Sequence, residues 1–200
     1  MKGLFAICFL LIAGLAVAEV NQLKLGDKAP HTDVKMTGTT GENFSMLDLK
    51  KENGLVVIFS CNTCPFVIAW EDRYNGIAEW ANNNNVGLVM LNSNYMKRSG
   101  DDSLEAMKKH ASEKNYNFPY LVDKESLVAN AFGGQTTPHV FLFDRDFKLV
   151  FKGAIDDNFK NASEVKQNYL KDAITSLAKG EPIVTAETKP IGCSIKRKID

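Results

Sequence analysis

This sequence is poor in cysteine, carries no excess of either charge and has no apolar run of bilayer length. Each shortage closes off a class of function. Four cysteines in 200 residues are too few for a disulfide scaffold. Only Cys61 and Cys64 lie close together; Cys8 and Cys193 stand alone, so no second ligand pair completes a four-ligand zinc site. Lys plus Arg and Asp plus Glu both number 24, with the signs interspersed, which argues against nucleic acid or an anionic membrane as the main partner. The longest apolar stretch, residues 4–17, is short for a membrane span, and no second one follows. There is no internal repeat. The one low-complexity tract, Asn82-Asn83-Asn84-Asn85, reads as a helix stop and loop.

The N-terminus reads as a processing signal. Lys2 supplies a positive start, residues 4–17 an apolar core, and Ala16-Val17-Ala18 a small-x-small cleavage site, so residues 1–18 are expected to be removed and the mature chain to begin at Glu19. That predicts a secreted or periplasmic protein, in a disulfide-permissive compartment, with no stable membrane insertion after cleavage. The remainder suffices for one domain, assigned to 19–180. A polar tail, 181–200, carries Cys193 and ends in Lys196-Arg197-Lys198.

The chemistry lies in Cys61-Asn62-Thr63-Cys64-Pro65, directly after the apolar run Leu55-Val56-Val57-Ile58-Phe59. A strand that ends in Cys-x-x-Cys and turns into a helix puts the first sulfur at a helix N-terminus, where unpaired N–H groups and the dipole favour the thiolate. The second thiol, one turn on, is close enough to form a disulfide. Pro65 suits a first helical turn, where a missing N–H costs nothing. Around the motif, strands alternate with helices. A turn-rich hairpin is expected over 34–47, buried strands at 55–60 and 86–91, and a helix over 65–81. Asp101-Asp102-Ser103 opens a helix running to about Lys114. A short strand follows at 118–122, then a short helix at 126–132. Strands at 139–144 and 147–151 are joined by Arg145-Asp146, and an amphipathic helix at 162–178 is ended by Gly180 and Pro182. The pattern predicts an α/β domain with a central mixed sheet flanked by helices.

Three blocks carry a family resemblance. Gly26-Asp27-Lys28-Ala29-Pro30 with Gly41-Glu42-Asn43-Phe44-Ser45-Met46-Leu47 looks like an entry hairpin. Residues 59–66 look like the active-site turn. Thr136-Thr137-Pro138-His139-Val140-Phe141-Leu142, then Lys152-Gly153-Ala154-Ile155-Asp156-Asp157, look like a cis-proline strand and its successor. Over roughly residues 24–158 the chain resembles the thioredoxin-like superfamily, in its redoxin, peroxiredoxin-like branch. The resemblance implies a thioredoxin-like fold with an N-terminal hairpin. Cys61 would be an exposed nucleophile of lowered pKa, and Cys64 a more buried resolving thiol. Pro138 would be cis against the sulfurs, with Thr137 and Phe66 meeting substrate. The Cys61–Cys64 disulfide would be the redox centre, with no other cofactor and no metal. Protein thiols or disulfides, and an unidentified electron donor, would be the partners.

The chain departs from thioredoxins in two places. Residues 55–59 hold no ionisable group where thioredoxins carry a buried acid; Glu71 and Asp72 are the nearest in sequence and are expected on a solvated helix face. His139, after Pro138, is read as a surface or hydrogen-bonded residue rather than a metal ligand. Three functions compete. The first is an exported thiol–disulfide oxidoreductase. The second is a thiol peroxidase, with Cys64 in the peroxidatic position. The third is a copper carrier using Cys61, Cys64 and His139, since soft thiolates select Cu(I). Cys193, in a tail with no requirement to pack on the domain, is either a third redox thiol attacking Cys61, a link between two chains in a dimer, or a thiol with no redox role.

Overall fold

The computed structural model describes residues 22–198, so the expected leader and its cleavage site lie outside the described residues. The chain enters through the hairpin β1 (Met36–Thr37) and β2 (Asn43–Phe44), paired antiparallel. Ser45 then caps the short α1 (Met46–Leu49) in a capping box with Asp48.

The seven residues of β3 (Gly54–Ser60) are all buried, because both faces of this strand are covered. Even-numbered Val56 and Ile58 face one core, and odd-numbered Leu55, Val57 and Phe59 face the other. Beyond β3 the chain turns into α2 (Pro65–Trp70) and continues through a tighter turn at Glu71–Arg73 into α3 (Tyr74–Asn83). The single helix expected over 65–81 is therefore interrupted. Opposed anchors accompany the tightening. Trp70 and Arg73 reach Asp156 on one side (2.9 and 2.5 Å), while Glu71 turns inward to Lys114 (2.5 Å) and His110 (3.1 Å) on the other. Glu71 is thus buried, contrary to the solvated face expected for it, whereas Asp72 is exposed.

Next come β4 (Val86–Asn92), α4 (Leu104–Glu113), β5 (Tyr120–Val122), α5 (Leu127–Phe132), the two-residue β6 (Thr136–Thr137), β7 (His139–Phe143) and β8 (Leu149–Gly153). The sheet runs β5-β4-β3-β7-β8. β3 is parallel to β4 and antiparallel to β7, so the sheet is mixed. α6 (Tyr169–Lys179) begins seven residues later than the periodicity predicts. The bond from Asp157 N–H to the Gln167 carbonyl (3.2 Å) holds the preceding segment against the loop after β8 and keeps it out of the helix.

One core layer lies under α2, α3, α4 and α6, and includes Trp70, Tyr74, Ile77, Met107 and Ile174. The other is dominated by Phe59, Phe132, Phe141 and Phe143, whose rings meet edge to face with centroids 5.2–5.7 Å apart. The tail does not hang free. It follows β8, where Thr188 N–H bonds the Lys152 carbonyl (3.0 Å), and ends as β9 (Cys193–Ser194), antiparallel to β6.

Candidate active site

β3 and α2 hold Cys61 and Cys64 at the end of the sheet. Cys61 follows the last strand residue, and Cys64 is the N-cap of α2, with Pro65 in the first turn. Both thiols are buried, 3% and 5% exposed, so the expected exposed nucleophile beside a buried partner is not what the fold makes. Their side chains are hydrogen-bonded to each other. Both also meet Thr137: Cys61 Sγ lies 3.2 Å from its hydroxyl, and the Cys64 thiol donates to its carbonyl at 3.1 Å. The Thr137–Pro138 peptide is cis.

The third cysteine joins this pair. In the β6–β9 ladder Cys193 stands directly opposite Thr137, and its thiol is hydrogen-bonded to that of Cys64. Cys64 is therefore the central sulfur of three. Ionisation follows from that position. The hydrogen bond from Cys61 pulls the Cys64 pKa down to about 4; burial opposes this, and donors from Cys193 and the Val67 N–H add to it. The same bond, then burial, pushes Cys61 up. Burial and the link to Cys64 push Cys193 up to about 11. The hydrogen bond from Cys61 therefore favours the thiolate at Cys64, where the sequence placed it at Cys61.

Behind the turn lies a polar network that sequence reasoning passed over. The sequence places Asp102 as one of two acids starting a helix, yet the N-cap is Ser103 and Asp102 is fully buried. Its carboxylate accepts from the Asn62 N–H (3.0 Å) and from the side chains of Asn92 (2.7 Å) and Asn94 (2.9 Å). Asn62 accepts in turn from the Tyr120 hydroxyl (2.9 Å). This carboxylate braces the Cys-x-x-Cys turn from inside. The signal was Asn92-Ser93-Asn94, three polar residues closing a wholly apolar strand.

A family model described as Redoxin matches residues 24–167. The chain belongs to the Redoxin family. Among solved structures, this redoxin is similar to an uncharacterised conserved protein of Geobacillus kaustophilus at 35% identity, with 90% of this chain and 95% of that one covered and a TM-score of 0.83. A peroxidoxin of Mycobacterium tuberculosis shares the fold at 17% identity, with 79% and 98% covered and a TM-score of 0.60. So does a protein of Chlorobium tepidum described as a thiol:disulfide interchange protein, at 18% identity, with 80% and 98% covered and a TM-score of 0.58. No curated protein matches the chain. Family and fold together make this redoxin a redox thiol protein with a thioredoxin-like architecture.

The remaining sequence-predicted residues divide. Phe66 is half-buried and packs on Phe159 (4.9 Å) beside the cluster. His139 is buried against Phe141 (4.5 Å), and its Nδ1 accepts from the Gln135 N–H (3.1 Å). Burial pushes its pKa down to about 3, with Lys152 and Arg197 adding to the shift, so it stays neutral. Among the described residues, no group of three or more His, Cys, Asp or Glu side chains is arranged to hold a metal ion, and no helix is long and apolar enough to cross a membrane. A cleft of about 470 Å³, lined in part by Asp123, Leu127 and Lys198, contains none of the three cysteines.

Proposed function

We propose that this redoxin is an exported thiol–disulfide oxidoreductase that exchanges disulfides with extended segments of protein substrates. One observation carries the reading: two hydrogen-bonded thiols at a helix N-cap share Thr137, a residue whose backbone edge pairs with an extended strand. A peptide laid on that edge presents its sulfur to Cys64, while main-chain bonds hold it whatever its sequence. In the reductive direction the Cys64 thiolate attacks a substrate disulfide and releases one substrate thiolate. Cys61 then attacks Cys64 and frees the second substrate sulfur, with its proton passing to the leaving thiolate. The products are two substrate thiols and the Cys61–Cys64 disulfide, which an external dithiol donor reduces. Residues 1–18 motivate export, and the exchange needs no cofactor beyond the cysteines.

Insulin reduction by the full chain with dithiothreitol as donor tests this. Turnover should vanish in Cys64→Ser, and the double variant Cys61→Ser/Cys193→Ser should accumulate a mixed disulfide on Cys64. An absence of insulin reduction together with steady peroxide consumption would overturn the reading.

That second outcome belongs to a peroxidase, which one observation favours: the easily ionised thiol is Cys64, in the peroxidatic position. Peroxide would convert its thiolate to a sulfenic acid, which Cys61 would condense to the disulfide with loss of water.

A further inference from the structure

The proposed exchange uses Cys61, Cys64 and the β6 edge, and leaves the occupant of that edge unexplained. Residues 192–198 are seated there by specific contacts. Cys193 and Ser194 pair with Thr137 and Thr136. The Ile195 N–H donates to the Gln135 carbonyl (3.1 Å), and the Ile195 side chain is buried in the layer that holds Phe59. Lys196 exchanges bonds with the loop after β4, its N–H reaching Asn94 Oδ1 (2.8 Å) and its carbonyl accepting from Met96 (3.0 Å). Arg197 bonds the Gly134 carbonyl and Asn130. Gly192 passes so close to Thr137 that a Cβ there would lie 2.3 Å from its carbonyl oxygen, so only glycine permits this approach.

We propose that this segment is a tethered substrate: it fills the groove that a protein substrate would enter, and Cys193 occupies the place of the substrate sulfur, exchanging into a disulfide with Cys64. The proposal rests on disulfide exchange being the chemistry of the site. The step is internal and balanced. Starting from the Cys61–Cys64 disulfide left by one turnover, the Cys193 sulfur attacks Cys64 Sγ. The Cys64–Cys193 bond forms as the Cys61–Cys64 bond breaks, and Cys61 leaves as the thiolate, taking the proton that Cys193 gives up. No outside oxidant is consumed. The isomeric disulfide fastens the tail across β6 and shuts the groove; reattack by Cys61, or reduction by the donor, reopens it. Cys193 thus pairs with Cys64, where the sequence pointed to Cys61 or a second chain.

The full chain carrying Cys8→Ser and Cys61→Ser, which leaves Cys64 and Cys193, with oxidised glutathione as a two-electron oxidant, tests the assignment. Thiol titration should fall from two thiols to none as two glutathiones are released. Peptide mapping should join the segments around Cys64 and Cys193, and the chain should stay monomeric on a non-reducing gel. Separate glutathione adducts, or a dimer joined through Cys193, would overturn it. Gly192→Ala in the otherwise intact chain is the companion variant, since a Cβ there meets the Thr137 carbonyl and pushes the tail off β6. Iodoacetamide should modify its Cys64 about tenfold faster, the scale expected from losing one or two backbone hydrogen bonds. An unchanged rate would show that the tail does not cover the thiols. Insulin turnover without the internal bond sinks the tether alone, whereas the internal bond without turnover on any protein disulfide sinks the oxidoreductase reading.

Discussion

The thiol cluster shows how far neighbours override residue type. A free cysteine ionises near pH 8.5, yet three cysteines within hydrogen-bond reach share their protons so that Cys64 falls to about 4 while Cys193 rises to about 11. Alkylation of the cluster in the intact reduced chain should therefore be confined to Cys64 at pH 6, with an inflection near pH 4. A rate still climbing steeply between pH 7 and 9 would contradict that order. The linkage has a definite sign. A thiol whose folded pKa lies below its unfolded value stabilises the reduced fold fully above the unfolded value, and this stability is lost as pH falls towards 4. Urea titrations should accordingly show the reduced wild type gaining on Cys64→Ser as pH rises from 4 to 9, before the raised thiols begin to oppose it. Asp102 is the second residue to test. Asp102→Ala removes the partner of the Asn62 N–H and of two buried amides, and should lower stability by about 3 kcal/mol in urea unfolding. Its Cys64 pKa should also shift as the turn loosens.

At the scale of elements, caps and ties decide where helices begin and bend. Ser103 caps α4 by accepting from the Ala106 N–H (3.1 Å), and Ser103→Ala should cost about 1 kcal/mol, read as a lower urea midpoint at unchanged slope. Asp156 has a larger role, because it joins the α2–α3 bend to the loop after β8 through Trp70 and Arg73. Removing it as Asp156→Ala leaves the part-buried Arg73 guanidinium with only the Asn158 and Phe159 carbonyls and the Trp70 indole N–H without that partner, and about 2–3 kcal/mol should be lost. The regular elements were legible in the sequence. Continuous apolar runs mark strands buried on both faces and acids before a polar-apolar run mark a helix start, so β3, β4 and α4 came within a few residues of their observed bounds. The bend at Glu71 was not legible, since nothing local to residues 65–81 says that Asp156, His110 and Lys114 will arrive from elsewhere. Nor were β6 and β9, two residues each, which carry no period at all.

Across the whole molecule, two apolar layers on one mixed sheet set the stability, and the tail sets access. Phe132 touches Phe59, Phe141 and Phe143 at once, so Phe132→Ala should cost about 3–5 kcal/mol in urea unfolding. It should leave the Cys64 alkylation profile of the folded protein in place, since the thiols belong to the opposite layer. The sequence by itself determined the α/β class and the Cys61–Cys64 turn, because strand burial and the strand-turn-helix motif are local patterns that a single segment can display, and its resemblance to the redoxin branch implied the architecture. Only the tertiary structure decided that Cys64 is hydrogen-bonded to both other thiols, that Asp102 braces the turn and that Cys193 lies against Cys64 on the edge of β6. Each of those depends on which distant donors, carbonyls and strand edges converge on one point. Protonation and access are set by such long-range neighbours, and no window of adjacent residues contains them.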